Sequence, residues 1–255
     1  MNNRRQPPKR VSDRGVRPWA ASLLLGALSV LSSCGAPSVA PLSASSQSPF
    51  AAPNLAAEYE HLAQSGGQAI ALRPKDSEVR IFAFRAGEAA KLGHNHVLSA
   101  PRFKGYFYLP GADANSARFD LEFRLDELEI DDPAIRSTFG PAFASQVTAA
   151  AVAGTREHML GSDNLEADRY PFVRIHSLSI SGEAPKFAAR IAVELHGVRR
   201  QLDIPLTVDG LPKRLSVSGS FVLRQSDFGA KPYSVLGGLL SVRDEVIIEF
   251  HLVGG

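Results

Sequence analysis

Arg102-Phe103-Lys104-Gly105-Tyr106-Phe107-Tyr108-Leu109 and Arg118-Phe119-Asp120-Leu121-Glu122-Phe123-Arg124-Leu125 are the two stretches that decide the fold. In the first, Phe103, Gly105, Phe107 and Leu109 alternate with Arg102, Lys104, Tyr106 and Tyr108. In the second, Phe119, Leu121, Phe123 and Leu125 alternate with Arg118, Asp120, Glu122 and Arg124. Successive side chains of a strand point to opposite faces, so a period of two with one apolar set describes a strand buried on one side.

The same period recurs on both sides of this pair. It is present in Phe187, Ala189, Ile191, Val193 and Leu195, in Leu202 to Val208, in Leu215 to Leu223 and in Val246, Ile248, Phe250 and Leu252. With Glu78 to Arg85 and Phe172 to Ile180 the count is about eight. Short connections favour antiparallel neighbours over crossover helices, so the chain reads as mainly β, either a closed barrel or a two-layer sandwich. One long insertion, Asp131 to Tyr170, interrupts the strands. Its alanine-rich stretch Ala142 to Leu160, ending at Gly161, predicts one helix covering an end of the barrel. Asp131-Asp132 before Pro133 reads as a helix start rather than an acid-base pair.

The N-terminus has a different chemistry. Six basic residues, Arg4 to Arg17, face the single acid Asp13 and precede an apolar run from Trp19 to Leu31. That order is the order of a secretory signal, and the run is shorter than the roughly 20 residues of a membrane span. Leu31-Ser32-Ser33-Cys34 resembles the bacterial lipobox, which implies a lipid on Cys34 and a mature chain starting there. Cys34 is the only cysteine, so no intramolecular disulfide forms and packing alone holds the fold. Arg4-Arg5 is followed by Gln6-Pro7-Pro8 at a distance from the apolar run, a poor twin-arginine match, so Sec-type export is expected. By resemblance to lipoprotein sorting, Gly35 rather than Asp after the cysteine implies, in a Gram-negative cell, the outer membrane on its periplasmic side. Of 28 basic and 26 acidic residues, 6 and 1 fall in residues 1–33, which leaves 22 against 25. The mature chain is acidic, and nucleic acid is not expected as a partner. The chain therefore divides into a signal peptide at 1–33, a lipid-anchored tether at 34–68, rich in Ala, Ser and Pro, and a barrel domain at 69–255. Within the tether, Ala56 to Gln64 has the length of a short helix that is marginal by itself.

Four segments of the barrel region together resemble the YceI family. They are Thr155-Arg156-Glu157-His158-Met159-Leu160 with Ser162-Asp163-Asn164-Leu165 and Arg169-Tyr170-Pro171-Phe172; Leu195-His196-Gly197-Val198-Arg199-Arg200; Arg224-Gln225-Ser226-Asp227-Phe228-Gly229; and the closing alternation Val246 to Leu252. The resemblance spans about Ser77 to Leu252. It implies an exported lipocalin-like antiparallel barrel of about eight strands, with one inserted helix, that holds a polyisoprenoid or fatty lipid inside. The chain departs from the family pattern at Arg156-Glu157, at Leu165-Glu166 and at Leu92-Gly93-His94-Asn95-His96-Val97.

A small barrel is either filled by its own side chains or keeps room for one ligand. The inward set mixes Phe103, Phe107, Phe119, Phe123, Phe221 and Phe250 with the small Gly105, Ala189 and Gly219. The phenylalanines are the candidate ligand contacts. His94, Asn95 and His96, with His158 further off, are candidates for choosing a head group at the mouth. Two readings stand beside lipid binding: a metal- or redox-ligand site on His94 and His96, whose third ligand would come from His158 or a carboxylate, and a solid barrel acting as an interaction module. His176, His196 and His251 read as surface or satisfied side chains. No resident cofactor is expected, and a homodimer is left open. No nucleophile elbow, phosphate loop or zinc-peptidase helix is present, so the reading is not enzymatic.

Overall fold

The alternating segments form antiparallel strands, described in a computed structural model for residues 54–111, 113–211 and 214–255. The expected signal peptide, Cys34 and the first part of the expected tether lie outside the described residues. The elements are helix α1 (Leu55–Gln64), β1 (Gln68–Ala71), β2 (Glu78–Ala86), β3 (His96–Ser99), β4 (Lys104–Leu109), β5 (Arg118–Arg124), β6 (Glu129–Ile130), helices α2 (Pro133–Arg136) and α3 (Ala149–Leu160), β7 (Phe172–Glu183), β8 (Lys186–Leu195), β9 (Val198–Asp209), β10 (Leu215–Arg224), β11 (Ser234–Val235) and β12 (Leu240–Gly254).

Pairing follows the order β1-β4-β5-β7-β8-β9-β10-β12-β2-β3-β6, with β11 added beside β12. The ladder returns on itself. β1 leads into β2 through a short 3-10 turn at Pro74–Asp76, Leu72 bridges Gly254 at the end of β12, and the Arg73 N–H donates to the Val253 carbonyl at 2.7 Å. β1 with β2, β3 with β4 and β5 with β6 are thus halves of bent strands. With β7 to β10 and β12 they make eight long runs in meander order, the number read from the sequence. Counted separately among the described residues, the strands number twelve because bends break three runs and β11 is extra.

The meander has two ends. Turns β4–β5, β7–β8 and β9–β10 lie at one, here the turn end. The β2–β3 and β10–β12 loops, the β8–β9 hairpin and the long insertion lie at the other, here the loop end. The inserted helix is shorter than expected. Thr148 caps α3 by accepting from Ala151 N, and the upstream Pro141–Phe143 forms a separate 3-10 turn that buries Phe143 on the outer wall with Phe82 and Val97. Val152, Met159 and Leu160 of α3 pack on the main core, while Arg156 donates to the carbonyls of Asp126 and Leu128. Asp132 caps α2 as the sequence suggests, accepting from Ala134 N and Ile135 N.

The tether boundary at 68 is corrected. Asn54 caps α1 and the helix docks on the outer wall with Leu55 and Tyr59 buried. The Tyr59 ring stacks 5.2 Å from Tyr106. Too short to stand alone, the helix is held by contacts no local pattern reports. It also overturns the solvent face expected for β5, since Asp120 and Glu122 beneath it are buried. The described residues belong to a compact unit, Ser48–Gly255, whose ladder and core run from Leu55 to Gly254. Among them, no helix is long and apolar enough to cross a membrane.

Candidate functional site: an apolar slot in one half of the barrel

The inner wall is not uniformly filled. Towards the loop end, Phe123, Leu125, Leu195, Leu223, Phe228 and Val246 are buried against one another in a continuous core. Towards the turn end, a cavity of about 70 Å³ remains. Leu72, Val79, Phe107, Phe119, Val208 and Phe250 are among its lining side chains, every one of which is apolar. At about 10–15 Å³ per water-sized group, it is a narrow slot with room for only a few such groups.

The small inward residues do not make this space. A Cβ on Gly105 would stand 2.6 Å from Leu72 Cδ1, and one on Gly219 would stand 2.6 Å from Phe250 Cζ. Leu72 and Phe250 thus occupy the room that these glycines free. The slot comes instead from the spacing of walls lined by branched aliphatics such as Ile180, Ile204 and Val217.

Of the candidate ligand contacts, Phe107, Phe119, Phe221 and Phe250 line the slot, and the Phe221 and Phe250 rings lie 6.5 Å apart. Phe103 and Phe123 belong to the filled core and do not reach it. Several lining residues were visible as inward strand positions but not as ligand contacts. Leu72 and Ala114 fall outside the regular alternation, and nothing local marks them.

The structure puts the histidines elsewhere. Ala83 pairs with His96, and Ala83 is four residues along β2 from Val79 in the slot wall, about 13 Å at the rise of a strand. His94 and His96 therefore stand at the loop end, with rings 6.4 Å apart. His96 Nδ1 lies 2.5 Å from Asp131 Oδ2, and His94 Nδ1 lies 3.2 Å from Ser145 Oγ. Asn95 points away from the two histidines, accepting from Arg85 N and donating to the Ala142 carbonyl. Arg136 completes the network with hydrogen bonds to Asp131, to the Asn95 carbonyl and to Ser145. His158 is exposed on α3 with its ring 4.8 Å from Tyr233. Among the described residues no group of three or more His, Cys, Asp or Glu could hold a metal ion, and neither His94 nor His96 lines the slot.

Asp131 is fully buried beside Arg136 and has φ 55, a left-handed conformation that Asp tolerates better than most residues. Burial alone would raise its pKa. The hydrogen bond and charge of His96, the Val97 N–H and the Arg136 guanidinium outweigh this and hold the carboxyl below the usual range. On the outer wall, the Tyr59 hydroxyl donates to Asp120 at 2.7 Å, and His176 Nδ1 lies 2.6 Å from the other oxygen of that carboxylate. Burial and the Asp120 carboxylate push Tyr59 well above the ordinary tyrosine value.

A closed antiparallel meander with an apolar interior slot defines a lipocalin-like barrel. The YceI-like domain family matches residues 74–254, and the chain belongs to that family. BcnA of Burkholderia cenocepacia has a similar fold, with 16% identity, a TM-score of 0.52 and coverage of 71% of this chain and 98% of that one. A polyisoprenoid binding domain from Saccharophagus degradans, implicated in plant cell wall breakdown, is 14% identical over 72% of this chain and 97% of that one, at a TM-score of 0.48. The Campylobacter jejuni YceI protein is 12% identical over 61% and 82%, at 0.45. No curated protein matches the chain.

Proposed function

We propose that this domain takes the hydrocarbon part of a long-chain isoprenoid or other amphiphilic lipid into the slot and sequesters or carries it outside the cytoplasm, without chemical conversion. The observation that carries the reading is a slot whose lining offers no polar side chain. Such a surface cannot satisfy water, whereas each CH₂ buried in it contributes roughly 0.8 kcal/mol. At about 70 Å³ the slot accepts only the leading part of a long tail. Deeper entry requires the half-buried Leu72, Phe119, Phe221 and Phe250 to turn aside.

Export and a lipid on Cys34 complete the proposal. They rest on the basic-then-apolar N-terminus and on Leu31-Ser32-Ser33-Cys34. Nineteen residues lie between Cys34 and Asn54, where the described chain begins.

The test is gentle purification, organic extraction and mass spectrometry. A near-stoichiometric amphiphile is expected with the parent chain and little with Val208→Trp, which fills the slot from a half-buried wall position. Parent protein that carries no lipid, and takes none up from a panel of prenols and fatty acids, would refute the reading.

A further inference from the structure

We propose that the loop end is a membrane-docking face, inserted into a lipid bilayer through Leu92, Leu236 and Leu239. These are three of the most exposed large apolar side chains among the described residues, at 77%, 71% and 45%. They stand on two loops that the backbone holds together. The Ala89 N–H donates to the Leu239 carbonyl at 2.8 Å. Gly87, at φ 88, lets that carbonyl approach so closely that a Cβ would stand 2.3 Å from it. Leu236 sits at the tip formed with Gly237 and Gly238, beside the β11–β12 pairing. Leucines fixed at loop tips lose little freedom on insertion, and apolar side chains grouped on adjacent tips mark an interaction site.

The direction of the chain selects a bilayer as the occupant. α1 runs lengthwise along the barrel wall. Its C-terminal side lies at the turn end, where Gly66 accepts from the Tyr108 hydroxyl and Gln68 pairs with Leu109. Its N-terminal Leu55 instead shares a groove with Glu194 and Arg199, which flank the β8–β9 hairpin at the loop end. The described chain therefore begins, at Asn54 and Leu55, towards the end that presents the leucines, and Cys34 precedes that point in sequence. Charge does not drive the contact, because Lys91 and Lys231 on these loops are matched by Glu88 and Asp227. Binding is apolar and insensitive to salt. In this orientation the filled half of the barrel stands on the bilayer and the slot lies in the half turned away, so a lipid in the slot is presented outward.

The test uses Ser48–Gly255, the compact unit, which lacks Cys34 and the apolar run Trp19 to Leu31. It is co-sedimented with vesicles of phosphatidylcholine and phosphatidylglycerol in equal parts. The parent is expected to pellet, and Leu92→Gln/Leu236→Gln/Leu239→Gln to bind about tenfold more weakly or less, through lost apolar burial. Leu178→Gln/Val222→Gln, which changes two exposed apolar side chains on the strands, should bind like the parent. Raising the salt should change nothing. The chain's only tryptophan is Trp19, so Leu236→Trp is a clean probe whose emission should shift to the blue with vesicles, while that of Leu178→Trp stays fixed. The proposal is overturned if the parent stays in the supernatant, if the triple variant binds like the parent, or if the leucines prove to mediate a dimer without vesicle binding. Were the triple variant to unfold, an unmoved Leu236→Trp emission would overturn it alone. Vesicle binding and lipid extraction are separate readouts, so this inference can fail while slot binding stands.

Discussion

Asp131 shows how one residue can secure an end of the barrel. Its carboxylate is fully buried and joined to His96, Val97 N and Arg136. Asparagine in its place keeps the shape and tolerates φ 55 but leaves the Arg136 guanidinium without its counter-charge. Breaking a buried pair in this way costs about 3–5 kcal/mol. Urea unfolding of Asp131→Asn should show a loss of that size. Because the folded-state carboxyl ionises below its unfolded value, its stabilisation is fully present above about pH 4–5 and fades as the pH falls through the folded value. Acidification in that window should destabilise the parent more than Asp131→Asn, as followed by thermal unfolding at successive pH values. At Cys34 the expectation is simpler. Cys34→Ser should shift the protein from the membrane pellet to the soluble fraction in fractionated cells, although docking through the loop leucines should leave a residual, weaker association.

Helix α1 and the strand face beneath it belong to the scale of elements. The helix has ten residues and would fray alone, yet Tyr59 is 1% exposed and bonded to Asp120, and Glu58 pairs with Arg118. Its stability is tertiary, so it should depend on that one side chain. Tyr59→Phe removes a hydrogen bond to a buried carboxylate and should cost about 1.5–3 kcal/mol. Tyr59→Ala adds a cavity, and the helix should undock, making residues 55–64 the first site cut in limited proteolysis while the barrel core stays intact. A chain cut no faster in this segment than the parent would show that the helix is held by something other than Tyr59.

For the whole molecule, what matters is the uneven filling of one barrel. Strands that continue from a packed half into a slotted half give the slot a packed base, and the ladder closes around both halves. Substitution in the filled half should act on stability: Phe123→Leu leaves a void in the core, should lower the unfolding free energy by about 1–2 kcal/mol, and should leave lipid content unchanged. Substitution in the slotted half should act on the ligand, and Val208→Trp should lose lipid while the thermal midpoint moves by only a few degrees. Extraction and calorimetry on the same two samples read this division directly.

The strands, their number as eight long runs and their inward faces were legible in the sequence, because the side-chain period of a strand is a local property that each segment carries in its own residues. The family was legible for the same reason, through the residues at Thr155–Phe172, Leu195–Arg200 and Arg224–Gly229. The N-terminal expectations also rest on local order alone. The position of the slot did not follow from any segment. It depends on how walls face each other across the barrel, which is why the glycines that promised space are covered by Leu72 and Phe250, while aliphatic positions unremarkable in sequence enclose the opening. His94 and His96 could be recognised as a pair, but only the register of β2 with β3 shows that they belong to the far end. Helix α1 was visible as a length of chain and invisible as a docked element, because Tyr59 and Asp120 are 61 residues apart and meet only when the sheet has curled.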